Sequence, residues 1–157
     1  MGKAQTEELT DKIIAESVKT IEMFGLTPLE ARLFVLLYIE KRPMTLDEMS
    51  EALGRSKTAM STSVRSLSDY NLVNLVWKKG ERKDLYETND QLYKNFMNNY
   101  VNKWIDMTSH QRESLEEISR TLNKQEEDSN TILNQQLAKI IDFHQQVERL
   151  FRSINDN

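Results

Sequence analysis

Two helix-start signals of the same kind lie close together in this chain, in the segments Thr27-Pro28-Leu29-Glu30 and Thr45-Leu46-Asp47-Glu48. In each, the threonine oxygen can accept a hydrogen bond from an unpaired backbone N–H, and the glutamate can reach back to the threonine N–H. Proline in the first helical position strengthens the first signal, and Pro43 ends the helix that it opens. The sequence therefore predicts a largely apolar, central helix from residue 28 and a short helix from residue 46.

A tight turn and a further helix follow the second signal. Gly54 can adopt the positive φ that ends a helix, and Ser56 can cap a helix over residues 57 to about 69. The apolar side chains of that helix recur at helical spacing on one face, at Met60, Val64 and Leu67. Two short helices joined at a glycine predict a helix-turn-helix, in which the second helix enters the major groove of DNA.

A predicted β-hairpin comes directly after this helix. Asn71 can take a left-handed turn conformation, and residues 72–77 and 84–88 are typical strands on either side of a loop. A hairpin in this position is a wing, so residues 27–89 are predicted to form a winged helix-turn-helix DNA-binding domain. The predicted fold class is mainly α with a small β-hairpin wing (α+β).

Long amphipathic helices are predicted on both sides of this domain. One covers about residues 7–24, and two more follow residue 90, separated by a polar turn at 123–130. The apolar stripe of each long C-terminal helix, called its seam here, has an alternating spacing of four and three residues. The first seam comprises Tyr93, Met97, Tyr100, Trp104, Met107, Gln111, Leu115, Ile118 and Leu122, and the second comprises Leu133, Leu137, Ile140, His144, Val147, Phe151 and Ile154. So small a module cannot bury both seams, and pairing with a second copy would hide them. We therefore expect a homodimer, with residues 90–157 forming the dimerisation region and an N-terminal helix within residues 1–26 joining it.

Charge is distributed unevenly along the chain. The net charge is −4, yet residues 55–83 contain seven basic residues and only two acidic ones. A positive segment in an acidic chain indicates a surface that binds a polyanion. On the exposed face of the 57–69 helix we expect DNA contacts from Ser56, Lys57, Thr58, Ser61, Thr62 and Arg65. On the wing we expect them from Lys78, Lys79, Arg82 and Lys83, and we expect Asp84 to pair with Arg82 or Arg65.

Other function classes are disfavoured. The chain has no cysteine and only two histidines, so we expect no metal site and no cofactor. No strand-turn motif for a nucleophilic serine occurs, so we expect no enzyme activity. No run of 18 apolar residues exists, so we expect no membrane span and a cytoplasmic protein.

The run TLDEMSEALGRSKTAMSTSVRSL, followed by NLVNLVWKKGERKDLYET, resembles the GbsR type of MarR-like winged-helix regulators. The resemblance covers roughly residues 20–110, and its most specific part is the pattern V-W-x-x-G-x-R-K-x-x-Y-E from Val76 to Glu87. It implies a dimeric repressor of osmoprotectant (glycine betaine or choline) uptake or synthesis genes, bound to a pseudo-palindromic operator. It further implies that the helix carrying Lys57 to Arg65 reads DNA and that Arg82 forms the wing tip. The pair Tyr70-Asn71 departs from the glycine turn that the family often has.

Some members of this family have an inducer pocket, and a small-molecule effector such as choline or glycine betaine is one hypothesis. A quaternary ammonium ion binds within a cage of aromatic faces, and four aromatic residues lie within three turns of the first long helix: Tyr93, Phe96, Tyr100 and Trp104. Phe24 or Phe143 are candidates to approach them. The alternative is that these rings pack in the dimer. The rival function is a dimeric helical adaptor for a protein partner, with a helix-turn-helix that reads no DNA.

Overall fold

A computed structural model describes residues 2–88, 90–124 and 131–155 of the chain. Its elements, in chain order, are α1 (Lys3–Glu22), α2 (Pro28–Glu40), α3 (Leu46–Leu53), α4 (Lys57–Asp69), β1 (Val73–Val76), β2 (Leu85–Thr88), α5 (Leu92–Asn123) and α6 (Thr131–Asn155). The prediction of a mainly helical fold with one two-stranded antiparallel hairpin is confirmed. Most of the predicted polar turn, residues 125–130, lies outside the described residues.

Both capping boxes form as predicted. The Glu30 N–H donates to Thr27 Oγ1 at 3.2 Å, and the Thr27 N–H donates to Glu30 Oε1 at 2.8 Å. Thr45 and Glu48 exchange the equivalent two hydrogen bonds, each 3.1 Å long. These bonds satisfy N–H groups that a helix start otherwise leaves unpaired, so the first residues of α2 and α3 are fixed by their own sequence.

The turn between α3 and α4 also follows the local signals. Gly54 has φ 65° and ends α3, and Ser56 Oγ accepts a hydrogen bond from the Ala59 N–H at 3.1 Å. The buried faces of the two helices meet the central helix α2 in one core. The core includes Leu33, Phe34, Leu37, Met49, Met60, Val64 and Leu67. Burial of this apolar face sets the direction in which the opposite face of α4 points.

The wing is tied to the helices through its second strand. Strand β1 pairs with β2 in the register Val73↔Thr88 to Val76↔Leu85. Compared with the prediction, β1 is one residue shorter at both ends and β2 is one residue shorter at its start. Tyr86 of β2 and Met44, which precedes α3, exchange two backbone hydrogen bonds of 2.9 Å. The base of the wing is therefore held against the start of the helix-turn-helix.

The chain divides into two compact units, the first ending at Phe96 and the second beginning at Met97. Helix α1 belongs to the first unit, where it packs along α2 and buries Val18. The expectation that the N-terminal helix joins a dimerisation region concerns a second copy of the chain and stays a prediction. No helix in the described ranges is both long enough and apolar enough to cross a membrane.

The second unit is an antiparallel pair formed by the remainder of α5 and by α6. Asn155 near the end of α6 donates to Asn102 near the start of this unit at 2.7 Å. The stripe of α5 that carries Val101, Ile105 and Thr108 is buried. Rings from both helices also meet, since Trp104 stacks on Phe151 at a centroid distance of 5.2 Å.

The predicted seams are only partly covered by this pairing. On α5 the buried stripe lies beside the predicted one, and seam residues such as Met107 and Ile118 are exposed. On α6 some seam residues are buried and others are exposed. Leu137 is buried, whereas Leu133, Ile140 and Ile154 are exposed together with Phe143 and Leu150. Two neighbouring apolar stripes fit the same spacing, so periodicity alone did not indicate which one the other helix of the chain covers.

Candidate nucleic-acid interface

The face of α4 opposite the core carries the residues expected to read DNA. Their side chains point to solvent because Met60, Val64 and Leu67 turn the other face inward. Of the six predicted residues, Ser61 is half-buried. The other five are exposed: Ser56, Lys57, Thr58, Thr62 and Arg65. Short hydroxyl side chains near the start of the helix leave room for close approach of a DNA backbone, and the two basic side chains can donate to phosphate or to guanine.

The wing loop presents its basic residues on a tight turn. Gly80 has φ 84°, a left-handed conformation that glycine adopts without steric cost. The Glu81 N–H donates to the Lys78 carbonyl at 3.1 Å and closes the turn. All four residues predicted to contact DNA from the wing are exposed: Lys78, Lys79, Arg82 and Lys83.

One carboxylate joins the wing to the helix-turn-helix. Asp47, in the first turn of α3, accepts a hydrogen bond from Lys83 Nζ at 2.7 Å through Oδ2, and its Oδ1 lies 3.5 Å from Lys57 Nζ. The hydrogen bond from Lys83 and the charge of Lys57 lower the pKa of Asp47, and the same hydrogen bond raises the pKa of Lys83. The wing and α4 are thus linked by side chains that are all partly exposed to solvent.

The expected pairing of Asp84 is wrong. Asp84 lies beside Asp47, Lys57 and Lys83 around a shallow depression of about 160 Å³, but in the described part of the chain it forms no ion pair with Arg82 or Arg65. The sequence signal was the nearness of Asp84 to Arg82 along the chain. Lys83 pairs instead with Asp47, which lies 36 residues earlier in the chain. No local sequence pattern predicts a contact over that separation.

Most of the basic residues near the interface have no acidic partner. Among the residues that the structure describes, none of the following forms an ion pair within 4.0 Å: Arg55, Arg65, Lys78, Lys79 and Arg82. Salt bridges elsewhere in the first unit engage Lys12, Lys19 and Arg42, which lie outside this surface. The surface formed by α4 and the wing therefore keeps an excess of positive charge.

The four aromatic residues of the hypothetical effector cage belong to different units, Tyr93 and Phe96 to the first and Tyr100 and Trp104 to the second, and the cage stays a prediction. Phe96 is buried in the core of the first unit, 4.9 Å from the Phe34 ring and 5.1 Å from the Phe24 ring, and Tyr93 is 78% exposed. Tyr100 and Trp104 do meet, at 5.9 Å, in the second unit. Their additional neighbour is Phe151, which the sequence placed on the α6 seam, rather than Phe143.

The described residues contain no group of three histidine, aspartate or glutamate side chains placed to hold a metal ion. Trp77, predicted as the last residue of the first strand, directly follows β1 beside Lys78 and is 82% exposed. The Trp77 ring is apolar and the neighbouring Lys78 is basic, so this edge of the wing combines both properties.

Comparison with known proteins identifies related sequences. A model of the family described as "Sugar-specific transcriptional regulator TrmB" matches residues 21–91. The chain is 32% identical to the HTH-type transcriptional regulator YvaV of Bacillus subtilis over 92% of its own length and 86% of that protein. It is also 32% identical to the HTH-type transcriptional repressor GbsR of the same organism, over 77% of the chain and 67% of that protein. A crystal structure described as a transcriptional regulator superimposes with a TM-score of 0.60 at 15% identity, covering 94% of this chain and 99% of that one. That structural likeness supports the winged-helix fold.

Proposed function

Because the chain belongs to the family of HTH-type transcriptional regulators that includes YvaV and GbsR, we propose that it represses transcription by binding double-stranded DNA as a homodimer. Helix α4 enters the major groove, and the wing contacts the adjacent backbone or minor groove. Contacts from Thr58, Thr62 and Arg65 read or position the DNA, and Arg82 reaches it from the wing. A repressor of this kind acts by occupying promoter DNA.

The observation that carries this proposal is the charge of the surface formed by α4 and the wing. Five basic side chains there have no acidic partner among the described residues, although the chain as a whole has a net charge of −4. A protein that neutralises phosphates releases the counterions of DNA, so its affinity falls steeply with salt. This surface has the charge, the shape and the hydroxyl-rich helix that such binding needs.

The exposed apolar stripes of the second unit support the homodimer. Ile118 on α5 and Ile140, Phe143 and Leu150 on α6 are each 46–62% exposed in the single chain. Burial of such side chains against a second copy is favourable. A two-fold dimer would present two copies of α4 to half-sites about one helical turn apart, which matches a pseudo-palindromic operator.

The proposed targets are genes for uptake or synthesis of the osmoprotectants choline and glycine betaine, and the proposed effector is one of these compounds. The support is the resemblance to GbsR-type regulators together with the contacts among Tyr100, Trp104 and Phe151. An aromatic face attracts a quaternary ammonium group by about 0.5 to 2 kcal/mol. Trp104 is 37% exposed, so part of its ring is accessible to a ligand.

Retention of genomic DNA tests the function and the effector together. Sheared DNA from the source organism is passed over immobilised full-length protein, and the retained fragments are sequenced without additive and with choline, glycine betaine or a sugar. We expect a small set of fragments that share a pseudo-palindrome upstream of osmoprotectant genes, and their release by choline or glycine betaine. Release by a sugar alone would contradict the proposed effector in favour of the ligand class named for TrmB. Retention of no duplex DNA would contradict DNA binding and favour the adaptor.

A further inference from the structure

The position of Asp47 is unusual for a surface that binds a polyanion. Its carboxylate lies between the first residue of α4 and the last residue of the wing loop, within 3.5 Å of Lys57 Nζ and 2.7 Å of Lys83 Nζ. Both lysines are among the residues predicted to contact DNA. A negative charge at this point repels phosphate and engages two of the cations that would otherwise bind it.

The two ion pairs are not explained by stability. The side chains of Asp47, Lys57 and Lys83 are 47–61% exposed, and ion pairs so exposed contribute little to folding. The base of the wing is already fixed by the two hydrogen bonds between Met44 and Tyr86, and the start of α3 is fixed by the box of Thr45 and Glu48. The arrangement of the wing therefore does not depend on Asp47.

The Asp47 carboxylate resembles a DNA phosphate as a hydrogen-bond acceptor for the two lysines. It is an anion with two oxygens, and it accepts one short hydrogen bond from an ammonium group, as a phosphate does. Lys57 and Lys83 come from different elements, so a DNA molecule takes both from Asp47 only when α4 and the wing are seated on it together. A duplex that touches only one of these elements does not release both lysines and therefore gains less binding free energy.

We propose that Asp47 is a specificity-determining residue of the DNA interface, because it holds Lys57 and Lys83 in the free protein and so suppresses their binding to the backbone of unrelated DNA. The inference rests on the proposed function, since it requires that this surface bind DNA. The basic residues without acidic partners, which include Arg65 and Arg82, still attract DNA because Asp47 does not engage them.

The test compares Asp47→Asn with a matched control, Glu51→Gln. Both remove one negative charge from α3, but Glu51 is exposed and forms no ion pair with a described residue. Binding of each full-length variant to a fluorescent random-sequence duplex of about 25 base pairs is measured by anisotropy over a salt series. We expect Asp47→Asn to bind about threefold to tenfold more tightly than the control at low salt, since it lacks a nearby repelling charge.

Salt dependence separates this role from a structural one. Each additional phosphate contact steepens the plot of log affinity against log salt by about 0.9, so release of two lysines should steepen it by about 1 to 2. Asp47→Glu should retain the wild-type slope. In a Lys57→Met, Lys83→Met background, the substitution Asp47→Asn should no longer change the slope. On an operator fragment recovered from genomic DNA, Asp47→Asn should lower the ratio of specific to non-specific affinity.

Equal behaviour of Asp47→Asn and Glu51→Gln would overturn the role of Asp47 while leaving DNA binding intact. Weaker binding of Asp47→Asn with an unchanged slope would also overturn it, in favour of a purely structural contact. A wild-type protein with no salt-dependent affinity for duplex DNA would overturn the proposed function itself. The two failures are therefore distinguishable within one set of titrations.

Discussion

Arg112 of α5 donates from Nε to Oε2 of Glu148 on α6 at 2.8 Å, and this bond links the two helices of the second unit. Arg152 donates to the other oxygen of Glu148 at 2.9 Å, and Arg112 also bonds Glu116. Glu148 is only 8% exposed. Because a partly buried carboxylate is stable only with partners, this network favours one register of α6 along α5.

Replacing Glu148 with glutamine should therefore destabilise the second unit. Loss of a fully buried ion pair costs roughly 3 to 5 kcal/mol, but Arg112 retains Glu116 and the arginines are partly exposed to solvent. We expect a loss of about 1 to 2 kcal/mol in the free energy of unfolding, measured by urea denaturation and circular dichroism. Glu113→Gln, an exposed substitution on α5, serves as the control and should change it by less than about 0.5 kcal/mol. Equal effects of the two substitutions would contradict the structural importance of the network.

The contribution of Glu148 should also depend on pH. The hydrogen bond from Arg112 outweighs burial and lowers the pKa of Glu148 below its ordinary value of 4.5. A carboxyl group whose pKa is lower in the folded protein adds stability above its unfolded pKa and loses it as the pH falls through the folded value. The difference in unfolding free energy between wild type and Glu148→Gln should thus be constant near neutral pH and shrink below about pH 4.5. A difference that grows on acidification would contradict this assignment.

The proposed dimer is expected to bury the exposed apolar side of α6. Ile140 is 46% exposed and Phe143 is 62% exposed in the single chain, and burial of a glutamate among such side chains is unfavourable. Ile140→Glu should convert the dimer to a monomer in sedimentation velocity at micromolar concentration, with helix content preserved. Gln135→Glu adds the same charge at an exposed polar position of α6 and should leave the dimer intact. A dimeric Ile140→Glu protein would show that another surface joins the copies.

The turn before α4 should tolerate few substitutions at Gly54. Apart from its two chain neighbours, no described residue has an atom within 4 Å of a Cβ placed there, but φ is +65°, which L-residues with a side chain adopt at a cost. Gly54→Ala should lower the free energy of unfolding by about 1 kcal/mol, and Gly54→Asn should lower it less because asparagine enters this conformation more readily. Thermal unfolding of both variants shows whether the alanine variant is the less stable of the two. A more stable alanine variant would contradict the account of this turn.

Local signals predicted the helix-turn-helix almost completely. The bonds of Thr27, Thr45 and Ser56 join residues three positions apart, so the sequence contains both partners of each bond. The exposed face of α4 followed from the positions of its apolar residues. By contrast, the partners of Asp47 lie 10 and 36 residues along the chain, and their contact depends on how the wing folds back. The packing of Phe96 against Phe24 and Phe34 was not predicted for a similar reason, since helical spacing does not show which element a ring meets.

Operator binding by single-site variants tests the central claim most directly. Arg65→Ala and Arg82→Ala remove one exposed arginine each from α4 and the wing, and Arg149→Ala removes an exposed arginine from α6 as the control. Affinity for a genomic fragment that the wild type retains is measured by gel-shift titration at fixed salt. We predict that Arg65→Ala and Arg82→Ala each weaken binding by about 1 to 3 kcal/mol, whereas Arg149→Ala binds as wild type and all three stay folded dimers. Unchanged affinity of both Arg65→Ala and Arg82→Ala would contradict the assignment of α4 and the wing as the DNA-binding surface.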